Sequence, residues 1–349
     1  MIRMLIDKTR LQKILSAFND VSLLVLGDFF LDKYLIIDRR LSETSLETGL
    51  EAYQVVDVRC QPGAAGTVVS NLKALGVGRV YTLGIIGNDG EGYDLKRALK
   101  QIGSITEHMI ESETAFTPTY TKPILREPDG REHEIERIDI KNRFPTLPEH
   151  EEEIVRRLRG ILPSVDGVII ADQVQERNCG VITDRVRAVL ADLAAQHPEK
   201  VFFADSRVRI GEYRNIIIKP NRYEAARAID PLWQGGVDWS NALDCGKILH
   251  ERNQIPVYLT MSEEGILLFT DEGDEHIPGV RAEGEIDPVG AGDSATAGIV
   301  SSLCAGASPG EAAFIGNLVA SITVQKIGTT GTASSEEVMK RFEEHVKRF

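Results

Sequence analysis

Short apolar runs alternate with amphipathic stretches along most of the chain. The apolar runs lie at 21–27, 79–87, 165–172, 200–205, 214–221 and 256–262. Nearly continuous runs of β-branched and aliphatic residues are typical of strands that are buried on both faces, and the stretches between them can supply the covering helices. The pattern therefore predicts an α/β fold with a mostly parallel central sheet.

Two segments, 35–60 and 115–140, break this alternation. They contain strand-like pieces such as AYQVVDVRC and EHEIERIDI, with a turn at EPDGRE and no helix between them. An alternating apolar and polar pattern suits strands that have one face in water. We therefore predict a small β-sheet that projects from the main body and acts as a lid or as a dimer contact.

The first 20 residues are apolar in part, but four charged residues between positions 7 and 13 interrupt them. This favours an amphipathic helix over a leader peptide. The sequence contains no 18 consecutive apolar residues, so we expect no membrane span. The proline-punctuated segment at 144–153 predicts a loop that runs into an acidic helix start, and it need not separate domains. We expect a single domain over 1–349.

The composition narrows the class of protein. The chain has 349 residues, 42% of them hydrophobic and 27% charged, which is typical of a soluble globular protein. The net charge of −13 and the absence of a basic stripe argue against nucleic acid, whereas a small anionic substrate remains compatible. The four cysteines form no CxxC pair, which favours a reducing cytoplasm. Without HExxH spacing a zinc enzyme is disfavoured, and any metal would be held by oxygen atoms.

Polar or acidic residues stand at the ends of several predicted strands. They are Asp28, Asp172, Asp205, Asn221 and Thr260. Each of them by itself is explained equally well by a strand that leaves the core and meets water. Together they suggest a binding site, because ligands of open α/β sheets lie at the carboxyl ends of the strands.

The segment DPVGAGDSATAGI at 287–299 combines a glycine-rich turn with the start of a helix. Unpaired N–H groups and the helix dipole at such a position suit an anion. Asp293 has two interpretations here: a helix cap, which is the commoner use, or a general base beside a bound phosphoryl group. Neither a Walker motif, a dinucleotide fingerprint nor a serine hydrolase elbow is present in a suitable context.

Seven motifs together make the chain similar to the ribokinase-like, or PfkB, family of sugar kinases, and in particular to its heptose-7-phosphate kinase branch. In order, the motifs are GDFFLDKY at 27–34, PGAAGTVVSNLKALG at 62–76, GIIGNDGEG at 84–92, KPNRYE at 219–224, TMSEEG at 260–265, DPVGAGD at 287–293 and GNLVASITVQKIGTTG at 316–331. The resemblance covers about 21–335. It implies a three-layer α/β/α kinase with a small β lid that transfers the γ-phosphoryl group of ATP to a hydroxyl of a sugar or sugar phosphate.

The resemblance also implies roles for residues on the substrate side. Asp293 matches the catalytic base of the family, which favours the base over the cap. The residues that match the anion hole around the transferred phosphoryl group are Gly290, Ala291 and Gly292. The residues that match the sugar-binding side are Asp32, Gly63, Ala64 and Asp172.

Further residues match the nucleotide and metal sites of the family. Asn221 and Glu224 match a motif that organises Mg²⁺ and phosphate through water, and the same two residues also suit a helix start with an asparagine cap. Thr260 and Gly265 bracket a loop over the nucleotide, and Asn317 falls in the adenine pocket. A monovalent cation, K⁺ in our interpretation, would be held by Asp287, Val289, Thr323, Lys326 and Gly328, mainly through backbone carbonyls.

The chain departs from the family pattern at two places. Where the family reads GGAANVA, this chain reads GAAGTVV at 63–69, so that Ala64 adds a methyl group and Thr67 removes an amide. This predicts an altered substrate pocket. Arg207 lies where the heptose branch has Asp-Pro-Lys, and it either meets a substrate phosphate or belongs to a solvated loop.

The sequence leaves three alternatives for the function. The chain is a sugar phosphate kinase of the heptose type, a fructokinase-like or nucleoside kinase, or a sugar-binding protein that has lost catalysis. We expect a cytoplasmic homodimer joined through the lid, with neither a nucleic acid nor a membrane partner. Bifunctional heptose proteins carry a nucleotidyltransferase domain after the kinase; since this sequence ends at Phe349, we expect no such second activity.

Overall fold

The computed structural model describes residues 6–328 and 330–347. The strands in this part of the chain are β1 (Ser22–Gly27), β2 (Phe29–Asp38), β3 (Glu43–Thr44), β4 (Glu51–Ala52), β5 (Val55–Ala64), β6 (Arg79–Leu83), β7 (Ile85–Gly87), β8 (Ile110–Ser112), β9 (Thr119–Arg126), β10 (Glu132–Glu134), β11 (Ile138–Ile140), β12 (Gly167–Asp172), β13 (Val201–Ser206), β14 (Ile217–Ile218), β15 (Val257–Thr260), β16 (Gly265–Thr270) and β17 (Gly273–Pro278). The helices are α1 (Lys8–Ala17), α2 (Ala65–Leu75), α3 (Gly90–Gln101), α4 (Pro148–Ile161), α5 (Asp184–Gln196), α6 (Arg222–Ile229), α7 (Trp239–Asn253), α8 (Ala291–Cys304), α9 (Pro309–Thr323) and α10 (Ser335–Val346).

The central sheet has eight strands in the order β17-β16-β15-β14-β13-β12-β1-β6. The six strands from β15 to β6 pair in parallel, and only β16 and β17 at one edge are antiparallel. Strands β1 and β12 are buried along their whole length, as their unbroken apolar runs predicted. The mostly parallel α/β sheet expected from the sequence is confirmed.

Two hydrophobic clusters cover the two faces of this sheet. Leu23 and Val25 of β1 pack in a cluster with side chains of α1, α2, α8, α9 and α10. Leu24 and Leu26 point to the other face, where α4, α5, α6 and α7 pack. Each fully buried leucine contributes roughly 1.5–3 kcal/mol through burial of apolar surface. The sheet therefore lies between two helical layers, which exposes its carboxyl edge for a site.

Two predicted strands are shorter than their apolar runs. The run at 79–87 divides at Gly84, where a Cβ atom would lie 2.7 Å from the carbonyl oxygen of Gly27. After this close approach β7 leaves the central sheet and pairs with β8. The run at 214–221 gives only the two residues of β14, because Asn215 has a positive φ of 59° and Pro220 has no N–H to donate.

A second sheet, which we call the lid, is formed by β2, β5, β9, β10 and β11. Its order is β10-β9-β2-β5, and β11 pairs with the same edge of β9 as β10, at residues 119–121 where β10 pairs at 124–126. Strand β2 pairs antiparallel with β5 and parallel with β9. The separate small sheet was predicted, but its boundary at 35–60 was wrong: the lid strands extend from Phe29 to Ala64, because only Asp28 separates β2 from β1.

Helix α1 is amphipathic, as predicted for the described part of the N-terminal segment. The Asp7 side chain caps it by accepting a hydrogen bond from the N–H of Arg10, and Leu11, Ile14 and Leu15 are buried. Residues 1–5 lie outside the described residues. None of the helices described combines the length and the apolar character that crossing a bilayer requires.

Candidate active site

A cavity of about 820 Å³ lies between the carboxyl edge of the central sheet and the lid. The main body contributes Asp293 and Gly290 at the start of α8 and Arg207 after β13. The lid contributes Asp32 and Tyr120. The volume is that of a small-molecule site. The cavity therefore lies at the strand ends, where the sequence predicted the site.

The start of α8 forms one wall of this cavity. Gly290 precedes the helix in the left-handed region with φ +80°, and a Cβ atom there would lie 2.6 Å from the side chain of Thr330. No side chain among the described residues caps the helix, and Asp293 is its third residue. The capping interpretation of Asp293 is therefore wrong. The N–H of Ala291 donates to the carbonyl oxygen of Pro288 at 3.1 Å, whereas the N–H groups of Gly290 and Gly292 have no partner among the described residues and are available to an anion.

The carboxyl group of Asp293 has an unusually high pKa. Burial, and then the negative charge of Asp205, raise this pKa to about 7 against the opposing charges of Lys219 and Arg207. The accessible part of the Asp293 side chain lines the cavity. A carboxylate whose pKa lies close to neutrality is suited to accept a proton from a hydroxyl group.

A buried ion pair lies directly beneath the turn before α8. Lys219 Nζ is 2.8 Å from Asp205 Oδ2, which also accepts a hydrogen bond from Thr296 Oγ1. A Cβ atom on Gly292 would come within 3.4 Å of Lys219 Nζ. Sequence reasoning marked Asp205 only as a strand end and missed Lys219. A lysine that ends the apolar run NIIIK was the available signal, since lysine is rarely buried without a partner.

Asn221 and Glu224 form a capping box at the start of α6. Asn221 Oδ1 accepts hydrogen bonds from the N–H groups of Tyr223 and Glu224, and Glu224 Oε2 accepts one from the N–H of Asn221. Burial, and then the charge of Asp205, raise the pKa of Glu224 to about 7. The asparagine cap predicted from the sequence is confirmed, and the carboxyl group of Glu224 remains beside Asp205 and Lys219.

This group of side chains fits a water-held Mg²⁺. The carboxyl groups of Asp205, Glu224 and Asp293 interact with the ammonium of Lys219, and Arg207 is a second cation that acts on Asp293 and Glu224, so three carboxyl groups face two cations. In the described ranges no three acidic, histidine or cysteine side chains are arranged to bind a metal directly. The excess of carboxyl groups suits a cation whose ligands are water and phosphate oxygens.

Asp32 projects from the lid into the cavity. Lys122 Nζ lies 3.0 Å from Asp32 Oδ1 and also donates a hydrogen bond to the hydroxyl of Tyr34 at 3.3 Å. Gly63 lies against the other carboxylate oxygen, because a Cβ atom there would come within 2.5 Å of Asp32 Oδ2. Lys122 and Gly63 therefore hold Asp32 in one orientation that is open to the hydroxyl groups of a ligand.

Ala64 lines the cavity in a backbone conformation that favours glycine. Its φ is 52° and its ψ is −118°, and it stands at the entrance to α2. Side chains rarely adopt this region because Cβ is crowded by the backbone, at a cost of about 1–3 kcal/mol. The methyl group that the sequence placed near the substrate is therefore also a source of strain.

We expect Ala64→Gly to raise the free energy of unfolding by about 1 kcal/mol, since relief of strain exceeds the entropy that glycine loses on folding. Denaturant unfolding measures this change. Ala74→Gly, inside α2 with ordinary helical geometry, is the matched control and should lower stability by about 0.5–1 kcal/mol. Equal losses in both variants would show that the Ala64 conformation is not strained.

Asp172 does not lie in the cavity wall, in contrast to its predicted place beside the substrate. Its carboxylate accepts hydrogen bonds from Ser206 Oγ at 2.6 Å, Arg209 Nη2 at 2.8 Å and the hydroxyl of Tyr213 at 3.2 Å. The side chain is 1% exposed, so the strand end turns inward at this position. Asp172 therefore anchors the turn after β13 instead of meeting a ligand.

The residues predicted for the nucleotide lie outside this cavity, at the edge formed by β15, β16 and β17. Asn317 Nδ2 donates hydrogen bonds to the carbonyl oxygens of Ile277 and Pro278, both at 3.1 Å. Gly265 has φ +98°, and a Cβ atom there would lie 2.2 Å from the Ile277 carbonyl oxygen. Thr260 pairs with Asn221 through an isolated bridge. The adenine pocket stays a prediction.

The structure brings the predicted cation-binding segments together. The N–H of Asp287 donates to the carbonyl oxygen of Val324 at 2.7 Å, and Asp287 Oδ1 accepts from the N–H of Val289 at 3.0 Å. The ammonium of Lys326 pairs with Glu337 at 2.8 Å and its N–H donates to the carbonyl oxygen of Thr323, so the carbonyl oxygen of Lys326 is the atom left for this role. Thr323 is the last residue of α9, and Gly328 lies in the segment that follows it. Oxygen atoms of this kind suit a monovalent cation.

The curated proteins that are similar to this chain include bifunctional HldE proteins. The chain is 29% identical over 341 residues to the HldE protein of Trichlorobacter lovleyi, which covers 97% of this chain and 66% of that protein. It is also 29% identical over 335 residues to HldE of Geobacter metallireducens, with 95% of this chain and 65% of that protein covered. The chain thus spans about two thirds of the length of these relatives.

Solved structures share the fold. Arabidopsis thaliana ribokinase, in complex with ribose and ATP, superimposes with a TM-score of 0.66 at 19% identity and covers 93% of this chain and 99% of that one. Thermotoga maritima ribokinase gives a TM-score of 0.64 at 18% identity with the same coverage. The ribokinase-like fold is thereby confirmed. The family model of the pfkB family carbohydrate kinases matches residues 33–336. The chain belongs to the pfkB family of carbohydrate kinases.

Proposed function

We propose that the protein is an ATP-dependent kinase that phosphorylates a hydroxyl group of a sugar or sugar phosphate. One observation carries this proposal: a carboxyl group with a pKa of about 7, Asp293, lies beside the uncapped start of α8 in a cavity that is closed by the lid. A base and an anion hole at one place are what transfer of a phosphoryl group to a hydroxyl requires.

The transfer follows from these positions. Asp293 takes the proton of the acceptor hydroxyl as its oxygen forms a bond to the γ-phosphorus and the bond from that phosphorus to the β,γ-bridging oxygen of ATP breaks. In the turn formed by Gly290, Ala291 and Gly292, the N–H groups of Gly290 and Gly292 are free to stabilise the charge on the transferred group. Asp32, oriented by Lys122, hydrogen-bonds other hydroxyl groups of the acceptor and so fixes its approach.

The nucleotide and ions would lie next to this centre. The loop bracketed by Thr260 and Gly265 would cover the nucleotide, with the adenine near Asn317. Asn221 and Glu224 would organise the water shell of Mg²⁺, which when bound neutralises phosphate charge. K⁺ would be held beside the anion hole by the segments at 287–289 and 323–328. The raised pKa of Glu224 supports a cation at this place.

The acceptor is tested by an ADP-release assay on the full chain with ATP and Mg²⁺. The panel contains heptose 7-phosphate, hexose phosphates, free sugars and nucleosides, which also separates the heptose type from fructokinase-like and nucleoside kinases. We expect acceptor-dependent release of ADP for at least one sugar or sugar phosphate. Ligand binding without turnover across the whole panel would contradict the kinase and support a sugar-binding protein without catalysis.

We also propose that the lid joins two copies of the chain. The edge strand β5 exposes Val55, Val56 and Val58 by 45%, 45% and 50%. An exposed apolar strand at a sheet edge favours association with another chain. The molar mass in solution tests this assembly.

A further inference from the structure

Asp28 lies where the main body and the lid meet, as the single residue between strands β1 and β2. Its N–H donates to the carbonyl oxygen of Ala171 in β12, and its carbonyl oxygen accepts from the N–H of Ala65 at the start of α2, both at 3.0 Å. The residue lines the active-site cavity but is only 4% exposed. The proposed phosphoryl transfer leaves this buried carboxyl group without a role.

The carboxylate of Asp28 binds both ends of a loop at 173–181 between β12 and α5, which we call the wall loop. Its Oδ2 atom accepts hydrogen bonds from the N–H groups of Gln173 at 2.8 Å and Val174 at 2.9 Å. Its Oδ1 atom accepts one from the N–H of Val181 at 2.7 Å. One side chain therefore holds both the first and the last residues of the wall loop.

Asp28 is mostly ionised at neutral pH. Burial, and then the negative charge of Asp172, raise its pKa to about 6, while the three N–H groups oppose the shift. An ionised carboxylate can accept all three hydrogen bonds. Among the described residues no lysine or arginine forms an ion pair with Asp28. Burial of a charge without such a partner is costly for folding, which favours a role in the site over a role in stability.

Other residues hold the carbonyl oxygens of the wall loop. The guanidinium of Arg209 donates to the carbonyl oxygen of Gln175 at 2.9 Å. Thr146, in the segment that returns from the lid to α4, donates from its N–H to the carbonyl oxygen of Asn178 and from Oγ1 to that of Gly180, both at 2.7 Å. Because these contacts do not depend on Asp28, loss of its carboxylate should loosen the wall loop without unfolding the protein.

The wall loop supplies polar side chains to the cavity. Gln173, Gln175 and Glu176 line it, and within the described part of the chain their side chains form neither a hydrogen bond nor an ion pair. Amide and carboxylate groups are suited to bind hydroxyl groups. The residues predicted for the nucleotide lie outside this cavity, at the edge formed by β15, β16 and β17. The wall loop therefore faces the acceptor and not ATP.

We propose that Asp28 is a positioning residue for the acceptor: its carboxylate fixes the wall loop so that Gln173, Gln175 and Glu176 meet the hydroxyl groups of the acceptor. The inference rests on the proposed function and deepens it, because it identifies what orders one wall of the acceptor site. Both oxygen atoms of Asp28 are occupied by N–H groups, so the residue acts through the loop. Gln173 is the most direct link, since Asp28 holds its N–H and its side chain lines the cavity.

Hydrogen exchange of the full chain without ligand, followed by mass spectrometry of peptides that cover 173–181, tests this contact. Asp28→Asn keeps the size of the side chain but places an NH₂ group where one carboxylate oxygen accepts. Gly180→Ala brings a Cβ atom within 2.7 Å of Asp28 Oδ1 and so displaces the loop while the carboxylate is kept, which retains the test if Asp28→Asn does not fold. We expect about tenfold faster exchange of the wall loop in both variants.

Two control variants change similar groups away from the site. Asp166→Asn weakens the hydrogen bond from the N–H of Ser22 to Asp166 Oδ2 at the opposite end of the central sheet. Gly160→Ala, in α4, adds a Cβ atom that meets no other atom within 4 Å. Both should leave the exchange of the wall loop and the KM of the acceptor unchanged.

Steady-state kinetics on the same variants separate positioning of the acceptor from a purely structural role. We expect Asp28→Asn and Gly180→Ala to raise the KM of the acceptor by about tenfold and to leave the KM of ATP within about threefold. Unchanged exchange at 173–181 in the folded variants, or an equal rise of both KM values, would overturn the positioning role. Absence of turnover with every acceptor contradicts the kinase, and the exchange result then decides whether Asp28 fixes the wall loop.

Discussion

Asp293→Asn is expected to lower kcat by about a hundredfold or more while the fold and nucleotide binding are retained. The variant keeps the size and polarity of the side chain but cannot accept the proton of the acceptor hydroxyl, and loss of a general base has this magnitude. Steady-state kinetics with the acceptor found in the panel measure the loss. Asp192→Asn, exposed on α5, is the matched control and should leave kcat unchanged. Nearly normal turnover by Asp293→Asn would contradict the assignment of Asp293 as the general base.

The same substitution should stabilise the protein at pH 8. The pKa of Asp293 is about 7 in the folded chain and 3.8 in the unfolded chain. The free energy of unfolding therefore falls as the pH rises from about 4 to about 7. Each pKa unit corresponds to about 1.4 kcal/mol, which sets an upper limit of about 4 kcal/mol for the gain in the free energy of unfolding. Denaturant unfolding at pH 4 and pH 8 should show a gain only at the higher pH. A gain of equal size at both pH values would mean that the buried charge is not its cause.

Lys219→Met is expected to have the largest effect on stability. It leaves the carboxylates of Asp205, Glu224 and Asp293 without their buried cation, and removal of one partner from a buried ion pair costs about 3–5 kcal/mol. The ammonium of Lys219 lowers the pKa of Asp293, so its loss should raise that pKa and move the rise of kcat/KM to higher pH. Denaturant unfolding at pH 8 and the pH profile measure the two effects.

Two further variants identify the cause of this loss. Lys219→Met combined with Asp205→Asn should recover part of the stability, because one unpaired carboxylate is removed with the cation. Lys247→Met, which removes an exposed ion pair with Asp274, should change the free energy of unfolding by less than about 1 kcal/mol. If the double variant is no more stable than Lys219→Met, the unpaired charge does not explain the loss.

The sequence predicts the central sheet well because its strands are buried on both faces, and such strands need unbroken apolar runs. It predicts β14 and the run around Gly84 poorly, since the close approach of Gly84 to Gly27 depends on a strand 57 positions earlier. The start of the lid at Phe29 is hidden for a similar reason: β2 continues almost directly from β1, and no turn residue marks the change of sheet.

The candidate site, too, is predicted well where its geometry is local and poorly where it depends on distant residues. The turn before Asp293 is local, so its shape follows from its glycines. A strand end does not reveal which way its side chain turns, and Asp172 points inward to Arg209 whereas Asp32 points into the cavity. The sequence does not reveal the pairing of Lys219 with Asp205 either, because it joins residues from two neighbouring strand ends. Long-range pairs of this kind require the fold.

Phosphorus NMR of the complete reaction tests the central claim most directly. The full chain and its Asp293→Asn variant are each incubated with ATP, Mg²⁺ and the acceptor that supports ADP release. We predict that the γ-phosphate resonance of ATP is replaced by one new phosphate ester of the acceptor, and that Asp293→Asn forms this ester at least about a hundredfold more slowly. Appearance of the γ-phosphate only as inorganic phosphate, or ester formation at similar rates by both proteins, would contradict the account.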